Sequence, residues 1–179
     1  MRNLLPSWLM AGSMCIGATT GLCVTAMAEI PEASGDACKL LTSSQVSSVL
    51  GVQVDEGTYS LPGHTQSCVW REHGQPNTTA QNVQVHFLTL RQYEAPKSGP
   101  FAKGSENGLG DAAYWAYTPG IGFTLSVKKG STYFRVQSRP IPQGMARKSD
   151  TPADKAKWDE KEKTVERALG AEVLKKLAS

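Results

Sequence analysis

The sequence predicts an α+β domain. An antiparallel sheet of about five to six strands is packed by a short N-terminal helix and a long C-terminal helix, with one disulfide. Three observations lead there. Apolar and polar residues alternate with period two in several segments between residues 67 and 138, separated by Gly-containing turns. Residues 151–177 instead repeat apolar positions at helical spacing. Two cysteines, Cys38 and Cys68, remain once an export leader is removed.

The first helix has a sharp start. Thr42 is an N-cap and Gln45 follows three residues on, a capping box of the form Thr-x-x-Gln. Leu41 is placed to staple onto Val46. Val46, Val49 and Leu50 share a face, and Gly51 ends the helix in a left-handed conformation. Residues 52–59 alternate weakly, as a strand would. Leu61-Pro62-Gly63 turns, and residues 67–72 form a second strand carrying Cys68, Val69 and Trp70. Residues 82–90 are the clearest strand of the first half. Val83, Val85 and Phe87 face one side; Gln84, His86 and Leu88 face the other.

Residues 91–107 carry Pro96, Gly99, Pro100 and Gly104, so any helix there is short and the segment reads as an irregular surface loop. Gly108-Leu109-Gly110-Asp111 turns into an aromatic strand, residues 112–117. A hairpin follows. Phe123, Leu125 and Val127 alternate with Thr124, Ser126 and Lys128. After a turn at Lys129-Gly130, Phe134 and Val136 alternate with Tyr133, Arg135 and Gln137. Residues 139–150 are a Pro- and Gly-containing linker. The last helix opens with the N-cap Thr151, Pro152 at its first position and Asp154 in its first turn. Trp158, Val165, Leu169, Val173 and Leu177 form its apolar stripe, and Gly170 marks a point where it kinks or splits.

Residues 1–28 read as an export signal. Arg2 gives the positive start, residues 4–24 the apolar stretch, and Ala26-Met27-Ala28 the small-x-small cleavage pattern. The mature chain is then 29–179, one α+β domain, with 29–36 a loose polar leader. No lipobox is present: Thr20 and Gly12 stand three residues before Cys23 and Cys15, where Leu is required. Export places the chain in the periplasm or outside the cell, an oxidising compartment. There the even count of cysteines implies a bridge between Cys38 and Cys68. No later apolar run approaches the roughly 20 residues that span a bilayer. Removing Arg2, the one charged residue of the leader, lowers the formal charge from +3 to +2. That balance, without a basic stripe, does not suit a nucleic-acid partner.

Catalytic and metal patterns are not legible. His64 and His73 lie in or beside Gly-containing loops, nine residues apart, and His86 sits on a strand face as a surface histidine. With both cysteines oxidised, no Cys/His zinc set remains. There is no Gly-x-Ser-x-Gly elbow. Asp154, Asp159, Glu160, Glu162 and Glu166 interleave with lysines as a solvated helix face. Asn77-Thr78-Thr79 matches the glycosylation sequon, a short pattern that arises by chance. No cofactor is expected.

The aromatic residues are more suggestive. Tyr114 and Trp115 are neighbours and face opposite sides of the sheet, as do Tyr133 and Phe134. Trp115, Tyr117, Tyr133, Phe134 and Trp158 are the candidate contacts for a ligand or partner. Core and helix packing is the alternative reading.

Three segments together resemble a known pattern. Asp36-Ala37-Cys38-Lys39-Leu40-Leu41-Thr42 runs into Gln45-Val46 and Leu50-Gly51; Cys68-Val69-Trp70 follows; Gly108-Leu109-Gly110-Asp111-Ala112-Ala113-Tyr114-Trp115 comes later. The chain resembles small exported bacterial proteins, many of them lipoproteins of uncharacterised function, with a Cys-x-Leu-Leu-Thr helix start and a Cys-x-Trp strand. That resemblance implies an envelope location, the Cys38–Cys68 disulfide and a sheet-and-helix domain. It carries over no catalytic residue.

The expected function is a non-enzymatic, exported binding module of the bacterial envelope that binds another envelope or secreted protein, as an inhibitor or immunity protein does. Residues 91–107 and 138–150 are its candidate contact loops. The alternative is a carrier of a small apolar ligand, held between the sheet and the last helix by Trp115, Phe134 and Trp158. A hydrolase using His64 and His73 is a third reading.

Overall fold

The computed structural model describes residues 35–76, 79–140 and 151–179. The expected signal, most of the 29–36 leader, Asn77 and Thr78 of the sequon, and residues 141–150 of the linker lie outside the described residues.

A 3-10 turn, Ala37–Lys39, leads into helix α1 (Ser43–Leu50). Strands β1 (Thr58–Tyr59), β2 (Ser67–Arg71) and β3 (Asn82–Leu88) follow. Helix α2 (Leu90–Glu94) runs into a second 3-10 turn, Ala95–Ser98. Strands β4 (Ala102–Glu106), β5 (Ala112–Thr118), β6 (Gly122–Lys129) and β7 (Thr132–Arg139) precede helix α3 (Pro152–Ala178). The strands form one antiparallel sheet in the order β1-β2-β3-β7-β6-β5-β4.

The sheet has seven strands where five to six were expected. The weak 52–59 segment contributes only Thr58–Tyr59 and an isolated bridge from Val54 to Glu72. The 91–107 segment, expected as a loop, holds α2, a 3-10 turn and the edge strand β4. Ala102–Glu106 is largely exposed and has no apolar alternation, so only backbone pairing to β5 makes it a strand. A bulge between Ala102 and Gly104 interrupts that outer edge, as sheet edges commonly require.

The topology explains where α2 lies. After β3 the chain reaches the far edge of the sheet, then returns by the turns β4-β5-β6-β7 until β7 pairs with β3. The connection from β3 to β4 therefore crosses one face, and α2 with its 3-10 turn is that crossing. Thr89 and Gln92 form a capping box at its start. Tyr93 is the plug, fully buried against Tyr114 and Tyr133 with ring centroids 5.3 and 5.0 Å away. The Tyr114 hydroxyl donates to the Tyr93 carbonyl at 2.6 Å.

The opposite face carries the main core. Val83, Val85, Phe87, Trp115, Phe123, Leu125, Val127, Phe134 and Val136 meet Val46 and Leu50 of α1 and Val165, Leu169 and Val173 of α3. The α1 caps are as the sequence predicts. Thr42 and Gln45 close a capping box, and Gly51 adopts φ 78°. Cys38 and Cys68 are disulfide-bonded, tying the first 3-10 turn to β2. Asp36 is not part of a loose leader, because its carboxylate caps that turn and accepts from the Tyr59 hydroxyl at 3.1 Å. Gly170 does not break α3. Its bare Cα lets the helix approach β6, where an added Cβ would stand 3.2 Å from Leu125 Cδ2.

Two acids of α3 are not solvated as expected. The β6–β7 ladder ends at Leu125↔Val136, and the same register continued would oppose Thr124 to Gln137 and then Phe123 to Ser138. The N–H groups of this last pair donate instead to α3: Phe123 N to Glu162 Oε2 at 3.1 Å, and Ser138 N to Glu166 Oε1 at 2.8 Å. Buried donors must be paired, and two carboxylates one helical turn apart reach both. Glu166 is fully buried there.

A third acid joins β4 to the helix. Glu106 accepts from Arg167 Nε at 2.8 Å and from Trp115 Nε1 at 2.7 Å. The Arg167 hydrogen bond, helped by Trp115, holds the Glu106 carboxyl below its usual range. A depressed carboxylate stabilises the fold above the ordinary pKa of 4.5 and ceases to do so as the pH falls through its folded value. Glu106→Gln is therefore expected to cost at most about 1 kcal/mol at neutral pH, since the arginine is solvent-screened. Urea melts should show that difference shrinking in acid; a constant difference would refute it.

Candidate functional site

Strand alternation sends every second residue of β3 and β7 to the face crossed by α2. These are Gln84 and His86 on β3, and Arg135 and Gln137 on β7. The register sets them side by side, His86↔Arg135 and Gln84↔Gln137. Because α2 covers only part of this face, the four side chains floor an open groove of about 270 Å³. Leu88, Gln92, Ala95 and Pro96 also line it. The groove lies on the seam where the first three strands meet the four that return.

Its electrostatics are one-sided. Arg135 Nε donates to Ser126 Oγ at 3.3 Å. Among the described residues no carboxylate pairs with its guanidinium. Burial, reinforced by the Arg135 charge, pushes the His86 pKa down and disfavours the imidazolium. Gln84 is oriented from behind, its Nε2 donating to Ser67 Oγ at 2.8 Å and Ser60 Oγ at 3.0 Å. Gln92 Oε1 accepts from the Thr89 N–H at 2.8 Å, which leaves the amide nitrogen as that side chain's donor. The site is a positively charged donor array on rigid strands, with a small apolar wall from Leu88, Ala95 and Pro96.

The aromatic candidates do not form one cluster. Trp115 and Phe134 are buried in the main core, Trp115 with its ring edge-on to Phe123 at 6.3 Å. Tyr117 is half-buried beside Phe123, with Lys155 Nζ 5.3 Å from its ring. Trp158 is half-buried on α3. Tyr133 lies on the other face of the sheet, packed on Tyr93. The interface between sheet and α3 is occupied by Leu125, Phe134, Val136, Val165, Leu169 and Val173. His73 Nδ1 meets Asp55 Oδ1 at 2.5 Å in an exposed pair. His64 stands in the exposed turn after Leu61. Among the described residues, no group of three or more His, Cys, Asp or Glu is placed to hold a metal ion. No helix among them is long and apolar enough to cross a membrane.

Sequence reading assigned His86 to a surface strand face and left Arg135, Gln84 and Gln137 as ordinary outward positions. The available signal was the absence of any acid among the outward positions of both strands. What it lacked was the pairing of β3 with β7, which opposes His86 to Arg135 across 49 positions of chain, beyond the reach of any local pattern. No family model matches this chain, and no curated protein or solved structure is significantly similar to it.

Proposed function

We propose that this chain is a non-enzymatic binding module of the bacterial envelope, in the periplasm or outside the cell, and that its ligand is another protein. The observation that carries the reading is the size and setting of the seam groove. At about 270 Å³ it lies at the small end of the ligand-pocket range of roughly 300–1,000 Å³, and it is an open groove rather than an enclosing pocket. It fits a single side chain presented by a larger partner. Arginine is enriched at protein interfaces and among their strongest contact residues. The disulfide supports an extracytoplasmic setting. The carrier alternative needs Trp115 and Phe134 around a ligand, and both are occupied in packing the core.

The test is capture of a partner from envelope and culture-medium extracts under oxidising conditions, with three immobilised proteins. Gln137→Trp fills the groove from an outward position without entering the core, and Ser48→Trp adds the same bulk on exposed α1. A protein retained near equal stoichiometry by wild type and Ser48→Trp, and lost by Gln137→Trp, is the expected result. Equal retention by all three would overturn the assignment of the groove.

A further inference from the structure

The geometry points to the groove as a receptor for an acidic side chain, a glutamate of the partner seated on Arg135. This rests on the protein-binding reading above and names the chemistry of its central contact. Arg135 is half-buried, flanked on its own strand pair by His86 and Gln137, and among the described residues it is engaged through Nε to Ser126. Its remaining guanidinium donors form the fork that matches the two oxygens of a carboxylate. Gln92, with its oxygen held by Thr89, supplies a further N–H donor at the rim. Leu88 and Pro96 form the apolar wall, which suits the methylene stem of a glutamate. A cationic ligand would face the Arg135 charge, and a wholly apolar one would leave the donors of Arg135 and Gln92 without partners, a penalty comparable to lost hydrogen bonds.

The chemistry is testable without the partner. The ¹⁵N-labelled full chain is titrated with acetyl-Gly-Glu-Gly-amide, its glutamine counterpart, and inorganic phosphate, while the Arg135 Nε–H and glutamine side-chain amides are followed by NMR. The glutamate peptide is expected to give saturable shifts confined to β3, β7 and α2. Binding should weaken about tenfold or more for the glutamine peptide and for Arg135→Gln protein, the effect of losing a charge-assisted hydrogen bond. Equal response to both peptides, no saturable shift, or tighter binding of phosphate would each overturn the proposal. Capture of a partner that depends on Gln137 but not on Arg135 would retain the protein-binding reading and remove the acidic contact.

Discussion

Replacing both Cys38 and Cys68 by alanine is expected to destabilise the domain by about 2–5 kcal/mol. The two residues are 30 apart in sequence, and chain-entropy reasoning for a loop of that length gives about 3.6 kcal/mol. The bridge stabilises chiefly by restricting the unfolded chain, and it has local consequences as well. It joins the first 3-10 turn to β2, and the closed loop contains α1 and the whole of β1. Helix α1 has only eight residues, too short to persist without tertiary support. Its docking, through Val46 and Leu50, should therefore loosen first. For a domain of this size the melting temperature should fall by about 8–20 °C. Wild type melted in reductant should match the double variant. A shift of only a few degrees would show that packing alone carries this end of the sheet.

Glu166 gives the second large effect, and its sign is unusual for a carboxylate. Burial is the main cause that raises its pKa well above 4.5, and the Glu162 charge adds to it. The Ser138 N–H and hydroxyl and the Leu125 backbone oppose the rise. Among the described residues Glu166 Oε2 has no hydrogen-bond partner. The folded chain thus holds a proton that the unfolded chain has released, over the interval from about 4.5 up to the folded value. Stability contributed at this site is complete in acid and declines as the pH rises through that interval. Glu166→Gln keeps an oxygen for Ser138 and removes the ionisation. Its melting temperature relative to wild type should rise as the pH increases above 4.5; a pH-independent difference would refute the assignment. Glu166→Leu is expected to cost about 1–3 kcal/mol at pH 5, because the buried Ser138 N–H loses its acceptor. A neutral effect would mean that the β6–β7 ladder closes on its own once the carboxylate is gone.

The two acids of α3 also show where sequence reading stops. Glu162 and Glu166 sit in a helix whose charges alternate sign almost throughout, and that pattern ordinarily marks a solvated face. The apolar stripe of Val165, Leu169 and Val173 was readable, and it correctly faces the core. What local sequence does not encode is a ladder that ends early and leaves two donors facing that helix. Strand β4 was missed for a related reason: Ala102–Glu106 buries almost nothing, so no hydrophobic period reports it. The aromatic pairs divided between the two faces as strand alternation requires, yet Trp115 and Phe134 went to packing and only Tyr133 of the candidates faces the α2 side.

By itself the sequence determined the locally coded features. These are the capping box at Thr42, the left-handed stop at Gly51, the face of each residue on β3, β6 and β7, the start of α3, and the disulfide. Each depends on residues within a few positions of one another, or on a count of cysteines in a chain read as exported. The tertiary structure alone decided that β7 returns to pair with β3, that α2 crosses one face and leaves the seam open, and that His86 and Arg135 stand opposite each other. Those outcomes follow from long-range pairing, where backbone hydrogen bonds and burial over the whole sheet set the register. A period of two places a side chain on a face, but it does not say which strand will lie beside it.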